Sequence, residues 1–258
     1  MHLSSLHRYP VKSLLGESLQ RAHLTETGLD GDRRYALLDT ATGLIASAKH
    51  PRLWRSLLTA KAEGDLTVHI NGRAFTREDA GKALNELTGR DVTLIDTPPA
   101  TAQLHRAVPE KLLDEGVEEF TTSTLGAILP GTFFDFGPVH VITTATLRSI
   151  GEHAGHDIAP ARYRPNLVID TDTPGYPEDT WDEITVGPVK LKAIVPSPRC
   201  VVPTLAHGDL PPDPDAMCVL AKHHRVETEY GVFATAGAYF SVLEPGDVRL
   251  GDAVKIGG

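Results

Sequence analysis

Turn signals interrupt this chain so often that they leave room mainly for short strands. Thr27-Gly28-Leu29-Asp30-Gly31, Thr40-Ala41-Thr42-Gly43, Glu63-Gly64-Asp65, Asn71-Gly72 and Glu244-Pro245-Gly246-Asp247 each break an apolar segment. Such clusters supply the positive-φ and proline-fixed geometries of tight turns. Between them, segments 18–24, 33–39, 57–62, 66–70, 92–95, 167–170, 184–186, 189–195, 239–243 and 248–256 read as strands. Asn71-Gly72 is a two-residue hairpin signal. Helical periodicity is confined to short stretches at 79–87, 145–154 and 217–226, with an acidic candidate at 109–120. The expectation is a mostly β (α+β) chain built from barrels or sandwiches.

Thr97-Pro98-Pro99-Ala100-Thr101-Ala102 interrupts the pattern with two prolines and small residues, and divides the chain into domains at 1–102 and 103–258. Each part is long enough to bury a core. The net charge of -9 argues against a nucleic-acid or anionic-membrane surface, so any basic cluster should be local and serve a small anion. Two cysteines and no hydrophobic leader at Met1-His2-Leu3-Ser4-Ser5 point to a reducing cytoplasm, with no membrane segment.

Val189 to Val195 alternates apolar and basic residues as a half-buried strand does, then runs into Pro196-Ser197-Pro198-Arg199-Cys200. The prolines stiffen the exit, and Arg199 beside Cys200 favours a thiolate, the form that ligates metals or attacks electrophiles. A buried, inert cysteine fits the same segment. Arg162-Tyr163-Arg164-Pro165-Asn166 places an arginine fork and an amide just before the strand 167–170. Such a pair suits a phosphate-bearing heterocycle, or serves as a surface or strand-end tie. Cys200, His207, Cys218 and His223 could supply zinc ligands, but their spacing follows no finger or ribbon. Glycine-rich phosphate loops, His-Glu-x-x-His, G-x-S-x-G and Cys-x-x-Cys are absent from the sequence.

Taken in order, Tyr9-Pro10-Val11-Lys12-Ser13, Gly31-Asp32-Arg33, Arg164-Pro165-Asn166, Thr180-Trp181-Asp182-Glu183 and Arg199-Cys200 resemble the molybdenum-cofactor sulfurase C-terminal (MOSC) domain family. The likeness is to members with an N-terminal β-barrel domain, such as the amidoxime-reducing components and their bacterial relatives. The resemblance implies an N-terminal β-barrel-like domain, a C-terminal MOSC β-barrel, and a molybdenum cofactor (Mo-molybdopterin) with Cys200 as metal ligand. It implies that Lys12, Ser13, Arg33, Arg164 and Asn166 hold the cofactor and that Arg199 and Thr204 line the same cleft. The chain departs from the pattern where Pro198 stands between Ser197 and Arg199. The implied activity is reduction of N-hydroxylated or N-oxide compounds, with a flavoprotein, iron–sulfur or haem carrier as electron donor. A sulfur carrier using a Cys200 persulfide, and a non-catalytic cofactor-binding module, are the alternatives.

Overall fold

The computed structural model describes residues 1–107 and 123–257, and the helix expected over 109–120 lies outside them. The largest sheet has nine strands, in the order Val254–Ile256, Glu183–Val186, Val189–Pro198, Gly231–Glu244, Val139–Thr143, Leu167–Asp170, His2–Arg8 and Glu17–Ser18, with Arg225–Thr228 paired to Gly231–Glu244. Alternation dictates its faces. Val189 and Leu191 point into a core with Phe240, Leu3 and Ile184, while Lys190 and Lys192 point outward to Glu183. The one parallel pair in this sheet, Val139–Thr143 with Leu167–Asp170, is joined through the helix Thr144–Ala154, as a parallel connection requires. Thr143 caps that helix by accepting from Thr146 N, and Gly155 ends it in the left-handed conformation.

The sheet is open, and no sheet among the described residues closes into a barrel, which corrects the barrel expected for each half. At the seam, Leu3 N donates to Asp252 O (2.9 Å), Gly251 N to Leu3 O (2.8 Å) and Val254 N to Met1 O (3.1 Å), around a single His2–Ala253 bridge. The ladder does not continue there. Bulges shift the register in His2–Arg8 between Leu3 and Ser5 and at three places in Val189–Pro198, and such insertions bend strands and interrupt pairing.

The N-terminal half builds a second core around Val11, Leu37, Trp54, Leu57, Val68 and Leu84. It is covered by small sheets and the helix Arg77–Thr88, whose apolar face carries Ala80, Ala83 and Leu84. Asn71 (φ 49°) and Gly72 (φ 76°) form the hairpin turn their sequence demands. Segment 57–62 is not one strand: Arg55–Thr59 is a 3-10 turn and only Lys61–Glu63 is extended. Leu57 and Leu58 are both fully buried but serve different cores. The helix expected over 217–226 is Asp215–His223, followed by the strand Arg225–Thr228.

The two domains share strands. His2–Arg8 belongs to the C-terminal sheet, and Arg21–Thr25 pairs with Gly246–Arg249, whereas Val11 and Leu14 enter the N-terminal core. Gln103–Ala107 pairs with Ser123–Ala127, and its Leu104 bridges Ile45. The stretch Tyr9-Pro10-Val11-Lys12-Ser13 therefore crosses from one core to the other, and the cleft described next lies at that crossing.

Candidate active site

Lys12, Ser13, Arg33, Arg164, Asn166, Arg199 and Cys200 line one cleft. Thr204 does not, because its hydroxyl donates to Val201 O at 2.8 Å within the turn Val202–Thr204. Ser197 is fully buried, and its Oγ has no hydrogen-bond partner among the described residues.

Cys200 follows the strand Val189–Pro198, and Arg199 N extends its pairing by donating to Ala234 O at 2.9 Å. The half-buried thiol is backed by the turn Val202–Thr204. Buried Arg162 holds the chain beyond the thiol. Its guanidinium donates to Pro203 O (3.3 Å), Leu205 O (3.2 Å) and Pro211 O (2.7 Å), and pairs with Asp213 at 3.3 Å. Arg162 is thus committed to shaping the cysteine loop.

The other cations face inward. Lys12 Nζ donates to Phe133 O (2.8 Å) and Asp135 (2.9 Å), and Lys49 meets the same carboxylate at 3.0 Å. Arg33 pairs with Asp32, reaches Asn166 Oδ1 (3.1 Å) and Arg164 O (3.1 Å), and lies over the Tyr9 ring at 4.7 Å. Arg164 lies over the same ring at 4.4 Å. Its Nη1 is buried without a hydrogen-bond partner among the described residues. Arg199 donates to Tyr163 O at 3.2 Å and contacts His140 Nε2 at 3.3 Å. Among the described residues, Lys12, Arg33, Lys49, Arg164 and Arg199 therefore have only Asp32 and Asp135 as carboxylate partners.

Electrostatics follow from this imbalance. Burial pushes Asp135 up, but Lys12 and Lys49 outweigh it and hold the carboxyl far below its ordinary range. Lys12 is lowered, chiefly by burial. Lys49 is raised: burial opposes its charge, but Asp135 and Cys200 favour it more. Burial and then the neighbouring Arg33 push Arg164 down to about 10. His140 is held well below 6.5 by burial and by Arg199, so it is neutral and its Nε2 can accept from that arginine.

Asn166 is fully buried and its polar atoms are already engaged. Oδ1 accepts from His140 N (3.0 Å) and Arg33 (3.1 Å), and Nδ2 donates to His7 O (3.3 Å). It ties three strands together and orients Arg33. Ser13 Oγ likewise accepts from Ala48 N at 3.1 Å. Ser13 (φ 69°), Arg33 (φ 44°) and Arg164 (φ 56°) all occupy the left-handed region. That conformation costs on the order of 1–3 kcal/mol per non-glycine residue and concentrates at functional sites.

Sequence reading missed Lys49, Asp135, His140 and Tyr239, which also line the cleft. The available signal was Phe133-Phe134-Asp135-Phe136, a carboxylate inside an aromatic run, which needs a buried cation. Cys218 is exposed on the helix Asp215–His223. No three of Cys200, His207, Cys218 and His223 bring ligand atoms together, among the described residues.

His207 lies beyond the cysteine loop. Its Nδ1 meets Leu205 O at 2.9 Å, and its Nε2 is buried without a partner among the described residues. Burial lowers its pKa to about 4. Between about 4 and the ordinary 6.5 the unfolded chain binds the proton and the folded one does not. Stability is therefore full above that window and lost as pH falls through it, by roughly 2–3 kcal/mol. Thermal melts from pH 7 to pH 4 should show a smaller acid loss in His207→Gln than in the native chain. An unchanged acid loss contradicts the assignment.

Fold and cleft define a two-domain β protein that presents a thiol beside a set of cations suited to a phosphorylated ligand. The chain belongs to the MOSC family: the MOSC domain model matches residues 130–255 and the MOSC N-terminal beta barrel domain model residues 1–105. Mitochondrial amidoxime-reducing component 1 of Mus musculus is 25% identical over 98% of this chain and 82% of its own length. Mitochondrial amidoxime reducing component 2 of Homo sapiens is also 25% identical, with the same 98% and 82% coverage. Molybdenum cofactor sulfurase of Oryza sativa is 23% identical over 87% of this chain and 31% of its own length. The chain is thus a MOSC protein with molybdenum-cofactor-related homologues.

Proposed function

We propose that this protein holds a molybdenum–pterin cofactor in the cleft and reduces N-hydroxylated or N-oxide compounds with electrons from a separate donor protein. The half-buried guanidinium of Arg164 carries this reading, since its Nη1 is buried and lacks a hydrogen-bond partner among the described residues and a buried donor left unsatisfied is costly. A phosphate oxygen would satisfy it. A persulfide carrier has no use for such a cation, and the names of the amidoxime-reducing relatives support the reductase class.

Cys200 offers a soft thiolate of the kind a molybdenum dithiolene accepts. Lys12, Arg33 and Arg164 balance the phosphate and pterin, Arg199 lines the thiol side, and Asn166 and Ser13 keep the cationic loops in place. Thr204 acts through the backbone of the cysteine loop. When bound, the cofactor supplies the two-electron chemistry. Overall, two electrons and two protons cleave the N–O bond, releasing water. Lys49, charged beside Cys200, can hold a proton at Nζ near the reacting end.

The chain contains no flavin fingerprint, and its two cysteines are too few for a four-cysteine iron–sulfur cluster. No helix among the described residues is long and apolar enough to cross a membrane. Molybdenum-loaded protein should be inert with NADH alone. It should reduce a hydroxylamine, hydroxamic acid or N-oxide once a flavoprotein with a small carrier, or a low-potential dye, is added. Loaded protein that fails with every donor, while forming a stable Cys200 persulfide, contradicts the reductase reading.

A further inference from the structure

We infer that a second cavity, of about 480 Å³, binds an apolar ligand body that ends in a carboxylate or similar anion. Resting on the reductase reading, this body is that of the N-hydroxylated substrate. The volume falls within the range of small-molecule sites. The cavity shares Lys49, Asp135 and Phe136 with the cationic cleft, so the two spaces meet on the Lys49–Asp135 pair. Phe136 is the partition: it stacks on Tyr239 of the cleft at 6.0 Å and tilts against Tyr230 of the cavity at 6.4 Å.

The walls are apolar, with Leu104, Ile128, Leu129, Ile194 and Tyr230 among them. Ile194 is 41% exposed and Tyr230 59%, and large apolar side chains exposed together mark a binding surface. Ile194 reaches this position through a bulge. The register of Val189–Pro198 against Gly231–Glu244 jumps between Ala193 and Val195, leaving Ile194 without a ladder partner, and bulges re-aim side chains in this way.

Arg106 is a second cation of this cavity, beside Lys49. It is half-buried; its backbone pairs opposite Thr124, and its guanidinium has no hydrogen bond or ion pair among the described residues. Its stem lies across Gly126, where an added Cβ would sit 3.1 Å from Arg106 Cδ, so the missing side chain at 126 makes room for it. A guanidinium on an apolar wall, where the carboxylate among the described lining residues, Asp135, is held by Lys12 and Lys49, suits an anionic group on the ligand. The head of the same ligand would then lie toward Lys49 and Cys200.

Calorimetric titration of the molybdenum-loaded protein tests this, with monohydroxamates of dicarboxylic acids of increasing chain length as probes. Alkyl hydroxamic acids of matched length and acetohydroxamic acid serve as controls. The longer carboxyl-terminated probes should bind about tenfold tighter than their uncharged counterparts. Arg106→Gln should abolish that advantage, and Ile194→Trp should weaken every long probe while leaving acetohydroxamic acid unchanged. A charge preference that survives Arg106→Gln, or long-chain affinity that survives Ile194→Trp, overturns the inference. Turnover without length or charge preference overturns the cavity assignment and leaves the reductase reading standing. The expected binding pattern without turnover of any probe sustains the cavity and overturns the reductase.

Discussion

Cys200→Ala protein should lose its molybdenum and retain less than about 1% of wild-type reductase activity, while its thermal unfolding stays close to that of the native chain. Outer-shell partners of a metal ligand alone are worth about 10–100-fold in affinity or activity, so loss of the protein ligand itself should exceed that. The fold should survive because the thiol is half-buried at the edge of a small cluster with Ala48, Leu58, Val201 and Leu205. The loop around it is held by Arg162 and the turn Val202–Thr204. Cys218→Ala should match wild type in metal content and activity, since that thiol is exposed on a helix. Elemental analysis and donor-coupled assays on the purified variants decide the matter, and a molybdenum-loaded, active Cys200→Ala protein contradicts the ligand role.

Arg164→Gly should lower pterin content at least about tenfold, the effect of losing roughly 1.4 kcal/mol of charge-assisted bonding. The cofactor-free variant should nevertheless be no less stable than the cofactor-free native chain. Two costs disappear with the arginine: a buried Nη1 without a partner among the described residues and a left-handed backbone at φ 56°, which glycine adopts freely. Against them stands the loss of the contact over Tyr9 at 4.4 Å, worth about 0.5–1 kcal/mol. Pterin fluorescence after oxidative release, together with melts of the empty proteins, separates the outcomes. Unchanged pterin content with a large drop in stability would make Arg164 a structural residue.

Much of the β architecture was legible because the rules involved are local. Val92–Ile95 and Leu167–Asp170 follow from apolar runs between turn signals, and the Asn71-Gly72 hairpin from its φ requirements. Open sheets in place of barrels were not legible. Closure depends on how strands more than two hundred residues apart meet, as at His2 and Ala253, and on bulges that no periodicity reveals. The strand-sharing between domains was hidden for the same reason, with His2–Arg8 placed by its partner Leu167–Asp170.

In the site, the residues set beside distinctive neighbours were legible, among them Lys12, Arg33, Arg164 and Cys200. Lys49 and Asp135 were not, because their meaning lies in a pairing across 86 positions of sequence, with Lys12 joining from still farther away. Asn166 lines the cleft, but its polar atoms are spent on holding strands and Arg33, a division of labour that only packing reveals. Thr204 shows the converse case, a cleft position by sequence whose hydroxyl turns back to its own loop.

Metal and pterin analysis of the wild-type protein, purified from a host that makes molybdenum cofactor, decides whether the cleft holds that cofactor. Molybdenum and pterin should be present in equal amounts, stoichiometric with the chain and both lost on denaturation. Wild-type protein that emerges folded but free of molybdenum and pterin, from cells in which a control molybdoenzyme loads fully, would contradict cofactor binding.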